Sequence, residues 1–409
     1  MVGTETSIHE LSKRVTGRPA PLFTEDVATR QDFLREKLEG ARILVIGAAG
    51  SIGSATAQAF SRFRLASLHL VDQNENGLAD LIRDFRNNAE TLAVSDVRTL
   101  PLDFGSPIMK LFLDSEKSYD LVLNFAAIKH VRSEKDVPSL LQMLDTNVNK
   151  PFRLMGWLAQ SSPLASYFCV STDKAANPTS LMGASKRAME HLIFSGEAIP
   201  KWNLRATSAR FANVAFSNGS LLLSFLQRLQ NRQPLACPEA TKRYFISMEE
   251  AGQICMLAAV DAPSQCSLIP RFTSWELLEL EAVARRVLEA QGLNARLYHQ
   301  EEEAKARVRK DLAQGYYPVL LTPLDTSGEK PFEEFVGEGE ETREVGLPNL
   351  LGLLYQPAPT GSVGRFLTHI QSLFSVQQAP TKEDIVGWLQ DLIPQMRHTE
   401  AGRNLDQRI

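Results

Sequence analysis

The chain has 409 residues, 44% of them hydrophobic and 22% charged, enough to bury the cores of two lobes. A formal net charge of −4 excludes a global basic field of the kind that gathers nucleic acid. No window supplies the ~18 apolar residues of a membrane span, and the start "MVGTETSIHELSKRV" lacks the apolar core of a secretory signal.

Residues 1–40 form a polar leader. Within it "TEDVATRQDFLREKLEG" predicts one helix, with Thr24 as N-cap and Gly40 as its stop, able to dock on the core or on a second subunit. From residue 41 the pattern changes. "ARILVIG" is a branched apolar run ending in glycine, "SIGSATAQAFSRF" is helical, and "SLHLVD" is a second apolar strand. A third strand precedes "LPLDFGS", and "DLVLNFAA", "SYFCVST" and "LRATSARFAN" continue the series. Helices at "VPSLLQMLDTNVNKPFRLMGWLAQ" and "SKRAMEHLIFSG" separate them, which predicts an α/β fold with a Rossmann-type doubly wound parallel sheet.

Residues 41–212 are read as the dinucleotide-binding domain, with 244–262 returning to it, and 213–380 as a smaller α/β lobe that binds substrate. That lobe includes helices at "NGSLLLSFLQRLQNRQPL" and "SWELLELEAVARRVLEAQG". The charge runs "EEEAKARVRK" and "EEFVGEGEETRE" read as solvated faces. Residues 381–409 are a final helix and a polar tail. Four scattered cysteines (Cys169, Cys237, Cys255, Cys266) show no metal-ligand spacing, and His130 has no second histidine or cysteine nearby, so no metal site is expected. Buried thiols of this kind suit a reducing cytoplasm.

Two stretches carry chemistry. "GAAGSIGS" places Gly47, Gly50 and Gly53, with Ser51 and Ile52 between them, from a strand to a helix. In that setting the glycines make a tight turn, let backbone approach a pyrophosphate, and let helix and strand pack closely. Asp72 ends the next strand, where an acid binds ribose hydroxyls and repels a 2′-phosphate, so NAD is expected over NADP. Asp103 follows the third strand and is a weaker candidate for the adenine amine. The second stretch is "STDKAANPTSLMGASK" (171–186), at the C-terminal end of a strand, where such sheets bind ligands. Its candidates are Thr172, Asp173, Lys174, Met182 and Lys186.

Together these stretches resemble the extended short-chain dehydrogenase/reductase family, and more narrowly its UDP-N-acetylglucosamine 4,6-dehydratase branch, which makes sugars for bacterial polysaccharides and glycoproteins. "NFAAIKHV", "TNVNKP", "RFANVAFSNGS", "TKRYFISMEEA" and "SGEKPFEEF" fit that branch in order, over about residues 41–345. The family's Tyr-x-x-x-Lys stands here as Met182-Gly-Ala-Ser-Lys186, a departure shared by a subset of these dehydratases. A second departure is Ala212, where relatives carry glycine.

The resemblance implies a redox-neutral reaction through a retained NAD: oxidation at C4, loss of water across C5 and C6, and return of hydride to C6. Thr172 would bond the C4 oxygen. Asp173 would be the acid at C6, with a raised pKa, and Lys174 the base at C5, with a lowered one. Lys186 would hold the nicotinamide ribose. Lys129, Asn213, Arg243 and Glu329 would meet the nucleotide sugar, which suits charge-assisted bonds. A water, Thr172 or Asp173 would carry away the O4 proton that methionine cannot accept. A homo-oligomer is implied too. An epimerase or oxidoreductase of the same fold, a GDP- or TDP-linked substrate, and a catalytically silent NAD-binding protein remain the alternatives.

Overall fold

Runs rich in Val, Ile and Leu, ended by polar or glycine turns, become the strands of one large sheet. The computed structural model describes residues 7–87, 92–129, 131–199, 204–323, 330–373 and 380–398. In chain order the strands are β1 Arg42–Ile46, β2 Ser67–Val71, β3 Val97–Leu100, β4 Leu121–Asn124, β5 Ser166–Val170 and β6 Arg205–Ala209. The short β7 Asn213–Val214, β8 Leu235–Pro238, β9 Lys242–Arg243 and β10 Phe245–Ile246 follow. Then come β11 Cys266–Pro270, β12 Leu278–Glu279, β13 Asn294–Tyr298, β14 Tyr316–Thr322, β15 Thr342–Glu344 and β16 Leu350–Leu354.

The large sheet runs β15-β16-β11-β6-β5-β4-β1-β2-β3. From β3 to β11 every pairing is parallel, while β16 and β15 extend that edge antiparallel. The order 3-2-1-4-5-6 is that of a dinucleotide-binding doubly wound sheet, and its winding reverses between β1 and β4. Alternation along β1 feeds two cores. Leu44 and Ile46 meet residues of helices Val137–Leu144, Lys150–Ser161 and Leu181–Phe194. Ile43 and Val45 meet those of helices Ser51–Ser61 and Met248–Val260.

A three-stranded parallel sheet, β13-β14-β8, forms the second body with helices Leu221–Gln230 and Leu280–Ala290 around Phe225, Val283, Val287 and Val319. The stretch 213–380 is thus divided between two bodies: β11, β15 and β16 lie in the large sheet, and helix Ser362–Ser372 packs on its core.

Two elements differ from expectation. The leader makes three helices, Ile8–Thr16, Thr24–Thr29 and Gln31–Leu38: the first ends at Gly17 (φ 71°), Arg30 (φ −104°, ψ 7°) leaves helical geometry and splits the expected helix in two, and Phe23 rather than Thr24 stands at the second helix's N-cap. Five of its apolar side chains are buried within the chain, Leu11 and Val15 on the second body and Phe23, Leu34 and Leu38 on the first. Arg18 pins this arrangement, donating Nε and Nη2 to the two oxygens of buried Glu250 at 2.8 and 2.6 Å. Removing one partner of such a pair costs about 3–5 kcal/mol. The long helix expected over 137–160 is interrupted by a π-turn, Asp145–Asn149, just ahead of Pro151, whose missing N–H cannot continue the α-helical ladder. Among the described residues no helix is long and apolar enough to cross a membrane.

Candidate active site

β1 delivers the chain into the glycine loop. Gly47 turns it at φ +75°, and a β-carbon there would lie 2.5 Å from the Ala126 nitrogen. A β-carbon on Gly53 would fall 2.1 Å from the Gly47 carbonyl oxygen, so helix Ser51–Ser61 can sit this close only with glycine. Gly50 is its N-cap and contributes no capping side chain, which leaves the first-turn N–H groups for an anion. This cradle fits a dinucleotide pyrophosphate.

Asp72, at the end of β2, accepts from the Ala49 nitrogen through Oδ2 (3.0 Å) and from the Asn74 nitrogen through Oδ1 (2.9 Å). It braces the glycine loop and retains acceptor capacity for ribose hydroxyls. Asp72→Ala is expected to weaken NAD binding by about 1.5–3 kcal/mol and to erase any preference over NADP; titration calorimetry with both dinucleotides checks this, and equal affinities in the parent would sink the assignment. Asp103 accepts from Lys150 Nζ (2.7 Å) and the Gly105 nitrogen (2.9 Å). Burial works against its charge, but these bonds hold its carboxyl below the usual range. Neither Asp72 nor Asp103 lines the cleft described next.

Above the C-terminal ends of β1, β4 and β5 lies a cleft of about 690 Å³. Its walls bring together Gly47, Gly50, Ser51, Ile52 and Gly53 with Lys129, Thr172, Lys174, Met182, Lys186, Ala212, Asn213 and Arg243. Glu329 and His130 lie outside the described residues. Arg243 also donates to the carbonyls of Lys330 (2.9 Å) and Pro331 (3.0 Å), so it anchors the loop that follows β14 as well as facing the cleft.

Thr172 caps a single 3-10 turn, Asp173–Ala175, and this turns the end of β5 into the site. Asp173 is buried, 4% exposed, behind Lys174. Its Oδ1 accepts from Thr172 Oγ1 (2.7 Å), the Lys174 nitrogen (2.9 Å) and Lys174 Nζ (3.1 Å). On the other side of Lys174 Nζ stands Glu333 Oε1, 3.8 Å away. The expected lowering of the Lys174 pKa is therefore corrected. Burial does work to lower it, but the charges of Asp173 and Glu333 prevail and hold the ammonium above the usual lysine value.

Helix Leu181–Phe194, capped by Ser180 accepting from the Gly183 nitrogen (3.0 Å), carries Met182 and, one turn on, Lys186. Met182 is 3% exposed, at once core and cleft wall, and its nitrogen donates to Glu134 Oε1 (2.9 Å). Gly183 lets the helix press on the Thr172–Lys174 turn, since a β-carbon there would lie 2.5 Å from the Lys174 carbonyl oxygen. Burial pushes the Lys186 ammonium down, against Cys169 and Glu190. Asn147, within the π-turn, exchanges hydrogen bonds with both backbone groups of Ile128 (2.9 Å each), which positions the segment leading to Lys129.

The segment 330–340 is what sequence reasoning missed. "EEFVGEGEETRE", read as a solvated face, contains two buried acids, Glu333 and Glu340. Glu340 accepts from Arg187 and from both terminal nitrogens of Arg210, which also grips Glu190 with two bonds of 2.7 and 2.6 Å. Burial opposes the Glu190 charge, yet Arg210 and Arg187 bring its pKa down to about 2. Asn177 Nδ2 donates to Glu334 (3.0 Å), and the Glu338 nitrogen donates to Asn177 Oδ1 (2.9 Å), stitching this segment to the stretch that follows the 3-10 turn. The cue in the sequence was "SGEKPFEEF", whose Glu329 drew attention in place of Glu333.

Residues 43–351 match the family described as "Polysaccharide biosynthesis protein". The chain is 23% identical over 349 residues to a probable polysaccharide biosynthesis protein, EpsC, of Bacillus subtilis, covering 83% of this chain and 53% of that one. It spans about half the length of such curated relatives. Among solved structures, Pen from Bacillus thuringiensis superposes with a TM-score of 0.62 at 20% identity, over 87% of this chain and 98% of that one. The UDP-glucose 4-epimerase of Thermotoga maritima, solved with UDP-glucose, gives 0.55 at 16% identity, over 73% and 90%. With the glycine cradle, the 3-2-1-4-5-6 sheet and a family match over most of its length, the chain belongs to the polysaccharide biosynthesis protein family of extended short-chain dehydrogenases/reductases.

Proposed function

We propose that the protein is a nucleotide-sugar 4,6-dehydratase, converting UDP-N-acetylglucosamine to a UDP-4-keto-6-deoxy-N-acetylhexosamine. The observation that carries this reading is the Asp173–Lys174 pair: an acid and a base joined at 3.1 Å, with the lysine on the cleft wall between Thr172 and Met182. A simple oxidation needs no such pair, and an epimerase has no leaving hydroxyl to protonate. NAD, held on the glycine loop and Lys186, would accept hydride from C4 and return it to C6.

The remaining steps belong to the chain's own groups. Thr172 Oγ1 takes the O4 proton while passing its own to Asp173, across the 2.7 Å bond already present. This route replaces the tyrosine that Met182 displaces. Lys174 removes the C5 proton. Asp173 then gives its proton to the C6 oxygen, which leaves as water, and Lys174 returns its proton to C5. Lys129, Asn213 and Arg243 take the diphosphate at the cleft's far wall.

The test is incubation with UDP-N-acetylglucosamine without added cofactor, read by mass spectrometry. Loss of one water supports the reading. An isomer of unchanged mass would instead make the protein an epimerase, in line with its likeness to the Thermotoga enzyme, and GDP- and TDP-sugars run in parallel decide the nucleotide.

A further inference from the structure

The dehydratase scheme leaves one proton unplaced. The carboxylates of Asp173 and Glu333, 3.1 and 3.8 Å from its Nζ, favour Lys174 as an ammonium, and an ammonium cannot remove a proton from C5. Asp173 cannot relieve it, because in that scheme Asp173 receives the proton from O4. The structure holds a second acceptor. Glu333 is 6% exposed, its Oε1 lies 3.8 Å from Lys174 Nζ, and its Oε2 is buried with no hydrogen-bond partner among the described residues. Its place is fixed from outside: Arg243 binds the carbonyls of Lys330 and Pro331, and Lys330 Nζ binds the carbonyl of Asn177.

We propose that Glu333 takes the proton of Lys174 and keeps it through the cycle, leaving the lysine amine free to act at C5. This rests on the dehydratase reading. An N–H bond of the ammonium breaks and an O–H bond forms on the Glu333 carboxylate, so two opposite charges vanish together and no net charge is buried. The amine then forms a new N–H bond to the C5 hydrogen, and the C5–H electron pair enters the enolate conjugated with the C4 oxygen. Burial, with Asp173 nearby, pushes the Glu333 carboxyl up in spite of Lys174, in the direction that favours its protonated form. The 3.8 Å separation is of the kind that closes when substrate binds. Glu333 lies off the cleft wall and acts through Lys174, so it is a positioning residue for the base.

The experiment follows deuterium entry at C5 in heavy water as a function of pH. In the parent the transfer is internal to the pair, so the rate is expected to be flat between about pH 6 and 8. In Glu333→Gln the neutral amine can arise only by losing a proton to solvent. The rate should then climb about tenfold per pH unit and lie roughly 10²-fold below the parent at neutral pH. Glu333→Asp keeps an acceptor and should keep the flat profile at a lower rate. A flat profile in Glu333→Gln overturns the proposal, and so does a parent profile that already climbs tenfold per unit. If the glutamine variant does not fold, the parent and Glu333→Asp profiles decide. A parent that releases no dehydrated product refutes the dehydratase reading instead, whereas dehydration by the parent with a flat glutamine profile refutes only the role of Glu333.

Discussion

Lys174→Ala should release no dehydrated product, yet adding substrate should still raise nicotinamide absorbance. The two outcomes separate because hydride leaves C4 before anything happens at C5. Alanine removes the amine that lies between Asp173 and Glu333, at 3.1 and 3.8 Å. A positioned acid or base is worth about 10²–10⁴-fold, so the loss is expected within that range. Asp173→Asn acts earlier as well as later: with no carboxylate to take the O4 proton by way of Thr172, nicotinamide absorbance should rise slowly on substrate addition, and the C6 hydroxyl should leave slowly too. Stopped-flow absorbance and mass spectrometry read the two variants. Turnover at the parental rate in both would remove residues 171–186 from the chemistry.

The second large effect is expected from one methyl group. Gly183→Ala should improve the helix locally, since glycine in a helix costs about 1 kcal/mol relative to alanine. Against this, the new β-carbon would lie 2.5 Å from the Lys174 carbonyl oxygen and 3.2 Å from Ser180 Oγ. The first contact is with backbone and cannot be relieved by a rotamer, so helix and turn must part. Displacements of about 1 Å at reacting groups cost roughly 10²-fold in rate. The expected result is an intact circular dichroism spectrum with turnover reduced by that order. Unchanged turnover would show that the two backbones yield freely.

The parts of this site that were legible in the sequence are those encoded locally. The glycine loop, the apolar run of β5 and the Met182–Lys186 spacing each lie within one short window. That window also sets the strand end or helix turn on which the residues sit. Glu333 was not legible, because its meeting with Lys174 joins two segments far apart in the chain, and a run of glutamates looks the same whether solvated or folded under an arginine. The expectation for Lys174 failed for the same reason: the sequence showed one carboxylate beside it and the fold supplies two. In the leader, the helical spacing was read correctly, but the break at Arg30 has no proline or glycine to announce it.

The smaller sheet takes β8 from one excursion of the chain and β13–β14 from the next. The chain therefore passes between the two bodies five times: between helices Ile8–Thr16 and Thr24–Thr29, after β6, before helix Met248–Val260, after β11 and before β15. A body moored at five points cannot swing on one hinge like a jaw. It can only slide by the small shear steps that packed elements allow. Entry and exit of ligands then fall to short segments at the cleft's rim, and whatever lies deepest, against the glycine loop, is the last to leave. Retention of a cofactor between turnovers would follow from how the chain is threaded as much as from the strength of any one contact.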